Sequence, residues 1–375
     1  MARERRDIQS VTRDELIAVL KEWGQPAYRA EQILRGLHVQ LSVGWESMTN
    51  LPQALRARLA EHYAFDPLEL VLRQGATDAT RKFLWRLRDQ SLVESVLIPA
   101  NPALYGEASD RRTLCVSTQI GCAYGCRFCA SGLAGWKRNL TVDEIVGQVL
   151  AAERAARQEL SVSVSEPGGG RTGRLINNLV IMGMGEPFAN YDHLLKALRI
   201  LNAPWGGRLG ARKITVSTSG LVPQILQFAK EPEQFGLAIS LHGTTDVVRE
   251  KIMPVNRKYP LRELIPACEA YVRGKGRRLT FEYILIGGIN DRREDAERLS
   301  ALARRLNAMV NLIPYNGVQG LHWQRPSEAG QEAFLRVVER QRVPVTLRRE
   351  KGGDIDAACG QLRLRTEREG EAAHK

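Results

Sequence analysis

The chain has no apolar run that approaches the ~20 residues a membrane-spanning helix needs. Its first residues are charged, and Arg13, Asp14 and Glu15 interrupt the stretch 11–20, so no signal-peptide core is expected. Cysteine is scarce. Six in 375 residues cannot staple a secreted scaffold, which makes a reducing cytoplasm the expected compartment. Glycine (33) and proline (16) are not enriched, and with 43% hydrophobic residues the composition excludes a disordered or fibrous chain. Acid is in the minority, with 42 acidic against 54 basic residues and a net charge of +12. A surplus of that size suits a polyanionic partner. It is concentrated in residues 115–230 (+6) and 301–375 (+4), so a nucleic acid would lie across the main body and not on a basic tail.

A chain of this length holds two domains or three small ones. Residues 12–63 carry helical spacing at Leu16, Ile17, Val19, Leu20 and at Ile33, Leu34, Leu37, broken by Gly24, Gln25 and Pro26. Segments 68–72, 82–87 and 92–98 alternate like a short antiparallel meander. From residue 113 strands are expected at 114–117, 178–182, 213–217, 236–241, 279–286, 309–313 and 344–347. Helices are expected between them at 142–160, 191–201, 222–230, 261–272, 292–306 and 328–340, the first with Thr141 and Glu144 as a capping box. Such alternation is α/β and implies a parallel sheet rolled into a full or partial barrel. The expected organisation is a helical domain (1–65), a β extension (66–111), a barrel core (112–350) and a C-terminal segment (351–375). The polar run 161–173, with four glycines, reads as a flexible surface loop.

Chemistry is concentrated at Cys122, Cys126 and Cys129, a C-x3-C-x2-C run interleaved with Gly121 and Gly125. Thiolates this close can converge on one soft metal centre and leave a coordination position open. The residues alone also allow zinc with a distant fourth ligand, or unpaired structural thiols. Four further motifs each follow an expected strand: 183–187, 217–220, 240–243 and 315–316. In a parallel barrel those ends share one face, where Glu186, Ser217, Ser240, His242 and Asn316 can bond a polar cofactor. Taken singly, each is ordinary turn chemistry. Cys268 falls on an apolar helix side and reads as core. Cys115, Cys359 and Glu94 would pass as structural residues, Glu94 as an exposed strand carboxylate.

The stretches CVSTQIGCAYGCRFCASG, RNLTVDEIVGQV, VIMGMGEPFANYD, ITVSTSG, LAISLHG, MPVNRKYPL, NLIPYN and DIDAACGQLR together resemble the radical S-adenosylmethionine RNA adenine methyltransferase family of RlmN and Cfr, over residues 11–362. Loops 101–111 and 161–173 look longer than that family's. The resemblance implies a partial (β/α) barrel and a 4Fe-4S cluster on Cys122, Cys126 and Cys129, with S-adenosyl-L-methionine on its open iron. Cofactor contacts carry over to Gly185, Glu186, Ser217, Ser240, Leu241, His242 and Asn316. Cys359 would carry the transferred methyl as S-methylcysteine, Cys115 would form a transient disulfide with it, and Glu94 would accept the proton. A radical route suits the target, because a ring carbon of adenine is a poor nucleophile. The implied product is adenosine methylated at carbon 2 in 23S rRNA, and also in tRNA; the alternative is a Cfr-type enzyme acting at carbon 8. A monomer and an electron donor such as flavodoxin or ferredoxin are expected. The alternative of another class is a non-catalytic iron-sulfur RNA-binding protein, which leaves Cys359 and the strand-end motifs without purpose. Arg127, Lys137, Arg138, Arg212 and Lys213 flank the motif face as candidate phosphate contacts.

Overall fold

Polar caps and apolar faces build the first elements. Strand β1 (Arg6–Asp7) pairs in parallel with β2 (Tyr63–Ala64), joining the two ends of a helical unit. Between them, α1 (Arg13–Glu22) starts at Thr12, whose side chain accepts from the Glu15 amide while Glu15 reaches back to the Thr12 amide. After a turn at Gly24 (φ +70°) come α2 (Tyr28–His38) and α3 (Gln53–His62). Leu16, Leu20, Ile33, Leu34, Leu37, Leu55 and Leu59 close a core of their own. These coordinates are a computed structural model, which describes residues 5–76, 79–100, 109–133, 135–160, 173–317 and 321–348.

The antiparallel meander β3 (Glu69–Gly75), β4 (Arg81–Arg86) and β5 (Leu92–Pro99) runs on to β6 (Arg112–Cys115), with Val96 opposite Cys115. Beyond β6 a hairpin intervenes, β7 (Gln119–Gly121) against β8 (Trp136–Asn139), and the one-turn helix α4 (Ala130–Leu133) lies inside it. The chain then alternates through α5 (Val142–Leu160), β9 (Asn178–Ile181), α6 (Tyr191–Asn202), β10 (Ile214–Thr218), α7 (Val222–Phe228) and β11 (Gly236–Ser240). It continues through α8 (Asp246–Ile252), α9 (Leu261–Lys275), β12 (Thr280–Leu285), α10 (Arg293–Arg305), β13 (Met309–Pro314), α11 (Glu328–Arg340) and β14 (Val345–Leu347). One ten-stranded sheet results, in the order β14-β13-β12-β11-β10-β9-β6-β5-β4-β3. Neighbours from β6 to β14 are parallel and those from β6 to β3 antiparallel. Among the described residues the sheet ends at β14 and β3 without closing, so the barrel is partial. Its central strands β9 to β12 are largely buried, as parallel strands covered on both faces must be. Among the described residues no helix is long and apolar enough to cross a membrane.

The short pair β1–β2, the β7–β8 hairpin with α4 inside it, and α8 are absent from the sequence expectation. The β7–β8 hairpin has strands of only three and four residues, too short to show a period, and its connection is the whole cysteine loop and not a tight turn. Helix α8, in DVVREKI, is one of the shortest and buries Arg249. Of the expected capping box at α5, the reach-back is present: the Thr141 amide donates to Glu144 at 2.9 Å. Most of the run 161–173 lies outside the described residues.

The helical unit docks on the barrel through part-buried polar contacts. Arg174 donates to Gly207 O at 2.6 Å and to His38 O at 3.4 Å, and Lys196 pairs with Glu15 at 2.9 Å. His38 is buried, and desolvation, then the Arg174 charge, pushes its pKa down to about 3. A histidine held neutral in the native state binds its proton only after unfolding, so stability from this site is complete above the free value of about 6.5 and is lost as pH falls from there towards 3. Urea unfolding midpoints from pH 7.5 to 4 should therefore fall less steeply for His38→Gln than for the wild type; parallel slopes would exclude the assignment.

Gly121 and Gly135 set the hairpin. Gly121 has φ +76°, and a Cβ there would lie 1.8 Å from Gly135 O, the acceptor of the Cys122 amide at 2.9 Å. Gly125 (φ +59°) has no atom within 4 Å of such a Cβ. Gly121→Ala is expected to destabilise the fold by about 3 kcal/mol or more, and Gly125→Ala by only about 1–2 kcal/mol, read from denaturant midpoints.

Candidate functional site

A cavity of about 360 Å³ opens at the carboxyl ends of the parallel strands. Cys115 at the end of β6 and Cys122, Cys126 and Cys129 from the hairpin loop line it. So do Ser217 and Ser240 at the ends of strands β10 and β11, and Gly185, Glu186, His242 and Asn316 from the loops that follow β9, β11 and β13. Leu241 does not: its side chain is fully buried in the core, and only its backbone reaches the strand-end turn, with the amide donating to Glu282 O at 3.1 Å.

The cysteine loop is pinned by backbone bonds. Besides the Cys122 amide on Gly135 O, the Cys129 amide donates to Cys126 O at 3.1 Å and the Arg127 amide to Ile252 O at 2.9 Å. The thiols are close enough to perturb one another. Burial pushes Cys122 up to about 12, and burial with the charges of Cys129 and Cys122 drives Cys126 well above its ordinary value. Neutral thiols gathered in this way are a donor set that a cationic centre would ionise on binding. Among the described residues no three His, Cys, Asp or Glu side chains are grouped for a single metal ion. A cluster that gives each thiolate its own iron does not require such a point. On the same wall the Ser131 hydroxyl is buried with no hydrogen-bond partner. The residues present fit an iron-sulfur cluster.

A single guanidinium shapes the strand ends beside it. Arg249, fully buried, donates to Leu241 O at 3.2 Å, to Asn256 Oδ1 at 2.9 Å, to Tyr259 O at 3.4 Å and to Ser219 O. Gly220 and Gly243 end the β10 and β11 loops because a Cβ at either would meet Arg249, at 3.0 and 2.9 Å. Glu186 is tied down by amides, accepting from Ser219 N at 2.7 Å and Phe188 N at 3.1 Å, while burial raises its carboxyl above the usual range. His242 (φ +54°) accepts from the Ile284 amide at Nδ1, 3.0 Å, which assigns the proton to Nε2. Burial and then Arg249 push it down to about 3, so it is a neutral donor. Phe128 of the cysteine loop packs edge-on against its ring, with centroids 4.8 Å apart.

Glu94 is not the exposed carboxylate that its strand position suggests. It is 3% exposed and pairs at 3.0 Å with Lys82, which is wholly buried on the neighbouring strand β4. It shares a strand face with Val96 and Ile98, which line the cavity. Cys359 lies outside the described residues. Cys268 is core, as expected. Of the candidate phosphate contacts, Arg127, Lys137, Arg212 and Lys213 are exposed, but Arg138 is engaged by Asp89 and Glu144, both at 2.7 Å. Lys82, Arg249 and Glu282 were not singled out from the sequence. A signal was available for Glu282 alone, a charged residue inside the apolar run FEYIL.

Residues 116–299 match the radical SAM superfamily, and residues 6–64 match the ribosomal RNA large subunit methyltransferase N-terminal domain. The chain is 54% identical, over 96% of its length and 94% of the relative's, to the probable dual-specificity RNA methyltransferase RlmN 3 of Opitutus terrae. It is 45% identical to the dual-specificity RNA methyltransferase RlmN of Anaeromyxobacter dehalogenans, over 95% and 91% of the two chains. The crystal structure of a radical SAM methyltransferase from Sphaerobacter thermophilus superposes with a TM-score of 0.85 at 45% identity, covering 95% of this chain and 98% of that one. The open barrel, its thiol-lined cavity and these full-length relatives agree: the chain belongs to the RlmN family of radical S-adenosylmethionine RNA methyltransferases.

Proposed function

We propose that the protein methylates carbon 2 of an adenosine in 23S rRNA, and in tRNA, by way of an S-methylcysteine. What carries the reading is that one cavity gathers the three cluster thiols, the strand-end polar groups and a fourth, buried cysteine, Cys115. An RNA substrate is supported by the names of the relatives and by the +12 charge. Cys122, Cys126 and Cys129 would hold the 4Fe-4S cluster. Bound there, the cluster and S-adenosylmethionine supply radical chemistry that can functionalise an unreactive ring carbon.

The chain's own residues do the rest. Gly185 and Glu186, Ser217, Ser240, the Leu241 backbone, neutral His242 and Asn316 hold the cofactor against the strand ends. Cys359 carries the methyl group to the base. Glu94, held in place by its pairing with Lys82, accepts the proton that leaves the adenine. Cys115 then attacks the Cys359 sulfur: the disulfide forms as the bond from that sulfur to the carbon on the RNA breaks, and that carbon takes up a proton and leaves as the methyl group of the freed RNA; two thiols must return by reduction before the next turnover. Cys115 is buried and lines the same cavity, which suits a thiol that meets its partner there. The base must be unstacked to reach the cavity. A monomer in the cytoplasm, fed electrons by a flavodoxin or ferredoxin, completes the proposal.

The deciding experiment is mass spectrometry of ribosomal and transfer RNA treated with the anaerobically reconstituted enzyme, S-adenosylmethionine and a reductant. 2-Methyladenosine is expected; 8-methyladenosine would move the enzyme to the Cfr type, and no cofactor cleavage at all would favour an RNA-binding role. Cys115→Ala should retain methyl loading and accumulate an RNA–protein crosslink through Cys359. Release of methylated RNA at the wild-type rate would remove Cys115 from the mechanism.

A further inference from the structure

Glu282 has no part in the chemistry proposed so far, yet its surroundings are those of a binding residue. It interrupts an otherwise apolar strand, β12, and stands in register with Ser240 on β11 and Asn311 on β13. It is 4% exposed, and what it exposes is part of the cavity wall. Asn311 Nδ2 donates to Oε1 at 2.9 Å and fixes the carboxyl plane. Among the described residues no donor reaches Oε2. Arg348 lines the same cavity and acts on Glu282 through its charge, without a hydrogen bond. Oε2 is thus an acceptor turned to the cavity, where a donor on a ligand can meet it.

The order of the strands says which part of a ligand reaches it. From β9 to β13 the lining runs from Glu186, beside the cysteine loop, through Ser217 and Ser240, whose hydroxyls are 3.5 Å apart, to Glu282 and then the apolar side chains of Ile284 and Ile313. A charged head therefore belongs at one end and a flat apolar base at the other. Between them a hydroxyl-bearing linker meets the two serines and the carboxyl. At strand ends of nucleotide-binding α/β folds, an acidic residue commonly takes a ribose hydroxyl. We propose that Glu282 binds the ribose diol of S-adenosylmethionine, with Oε2 accepting from a sugar hydroxyl and Asn311 holding the carboxyl in place. The assignment rests on the cavity being the cofactor site.

The test is equilibrium dialysis, under anaerobic conditions, of the reconstituted full-length enzyme with S-adenosylmethionine and with its 2′-deoxy and 3′-deoxy analogues. The wild type should bind at least one analogue about tenfold or more weakly than S-adenosylmethionine. Glu282→Ala should lose about ten- to a hundredfold in affinity for S-adenosylmethionine, and less than threefold for that analogue. Glu282→Gln, which keeps an acceptor oxygen, should fall between; it replaces the alanine variant if that one fails to fold or to hold iron. Equal losses for all three ligands would overturn the diol assignment, and so would unchanged cofactor affinity with weakened RNA binding, which would move Glu282 to the target nucleotide. A wild type that binds iron but none of the three ligands would overturn the cofactor site itself, a result distinct from failure of Glu282 alone.

Discussion

The buried guanidinium of Arg249 is the contact on which the strand-end face depends. One planar group satisfies backbone carbonyls from the β10 loop, the β11 loop and the segment before α9, together with Asn256 of the turn after α8. Burial draws its pKa down to about 10, still far enough above neutrality to keep it charged. A guanidinium so placed must be surrounded by acceptors, because an unpaired buried charge would cost several kcal/mol. Motifs far apart in the chain thereby share one anchor. ITVSTSG ends in a glycine that leaves room for this guanidinium, LAISLHG in one that leaves room for the Arg249 backbone, and MPVNRKYPL supplies the remaining acceptors. The helix that carries Arg249 also accepts the Arg127 amide through Ile252, so the cysteine loop is referred to the same anchor.

The barrel was legible because parallel strands covered on both faces must be apolar throughout. NLVI, ITVST and MVNLIP could be little else, and α5 and α11 show their full length through an uninterrupted helical period. The hairpin around the cysteine loop was hidden, since three residues paired with four across a long loop leave no period to read. Arg249 was hidden for another reason. An arginine in a short helix resembles a solvated side chain, and only the fold brings three loops of carbonyls to it. Glu94 and Lys82 alternate correctly for a half-exposed meander, and their burial follows from what covers that face, which strand periodicity does not record.

The candidate site divides along the same line. Cys122, Cys126 and Cys129 were legible because their spacing is local, and the glycines between them carry the strain that local wrapping requires. Gly185, Glu186, Ser217, Ser240, His242 and Asn316 were legible only through the rule that loops after parallel strands share a face, and the cavity gathers them as that rule demands. The tautomer of His242 was not, because it depends on an amide forty-two residues away, that of Ile284.

The sheet stops at β14 instead of returning to β6, and on the other side of β6 it continues as an antiparallel apron. A sealed ring would admit only molecules small enough to enter through its rim. An unsealed one lets a polymer lay a single residue against the strand ends while both of its arms stay outside, so a nucleotide in the middle of a long folded strand can be served without threading.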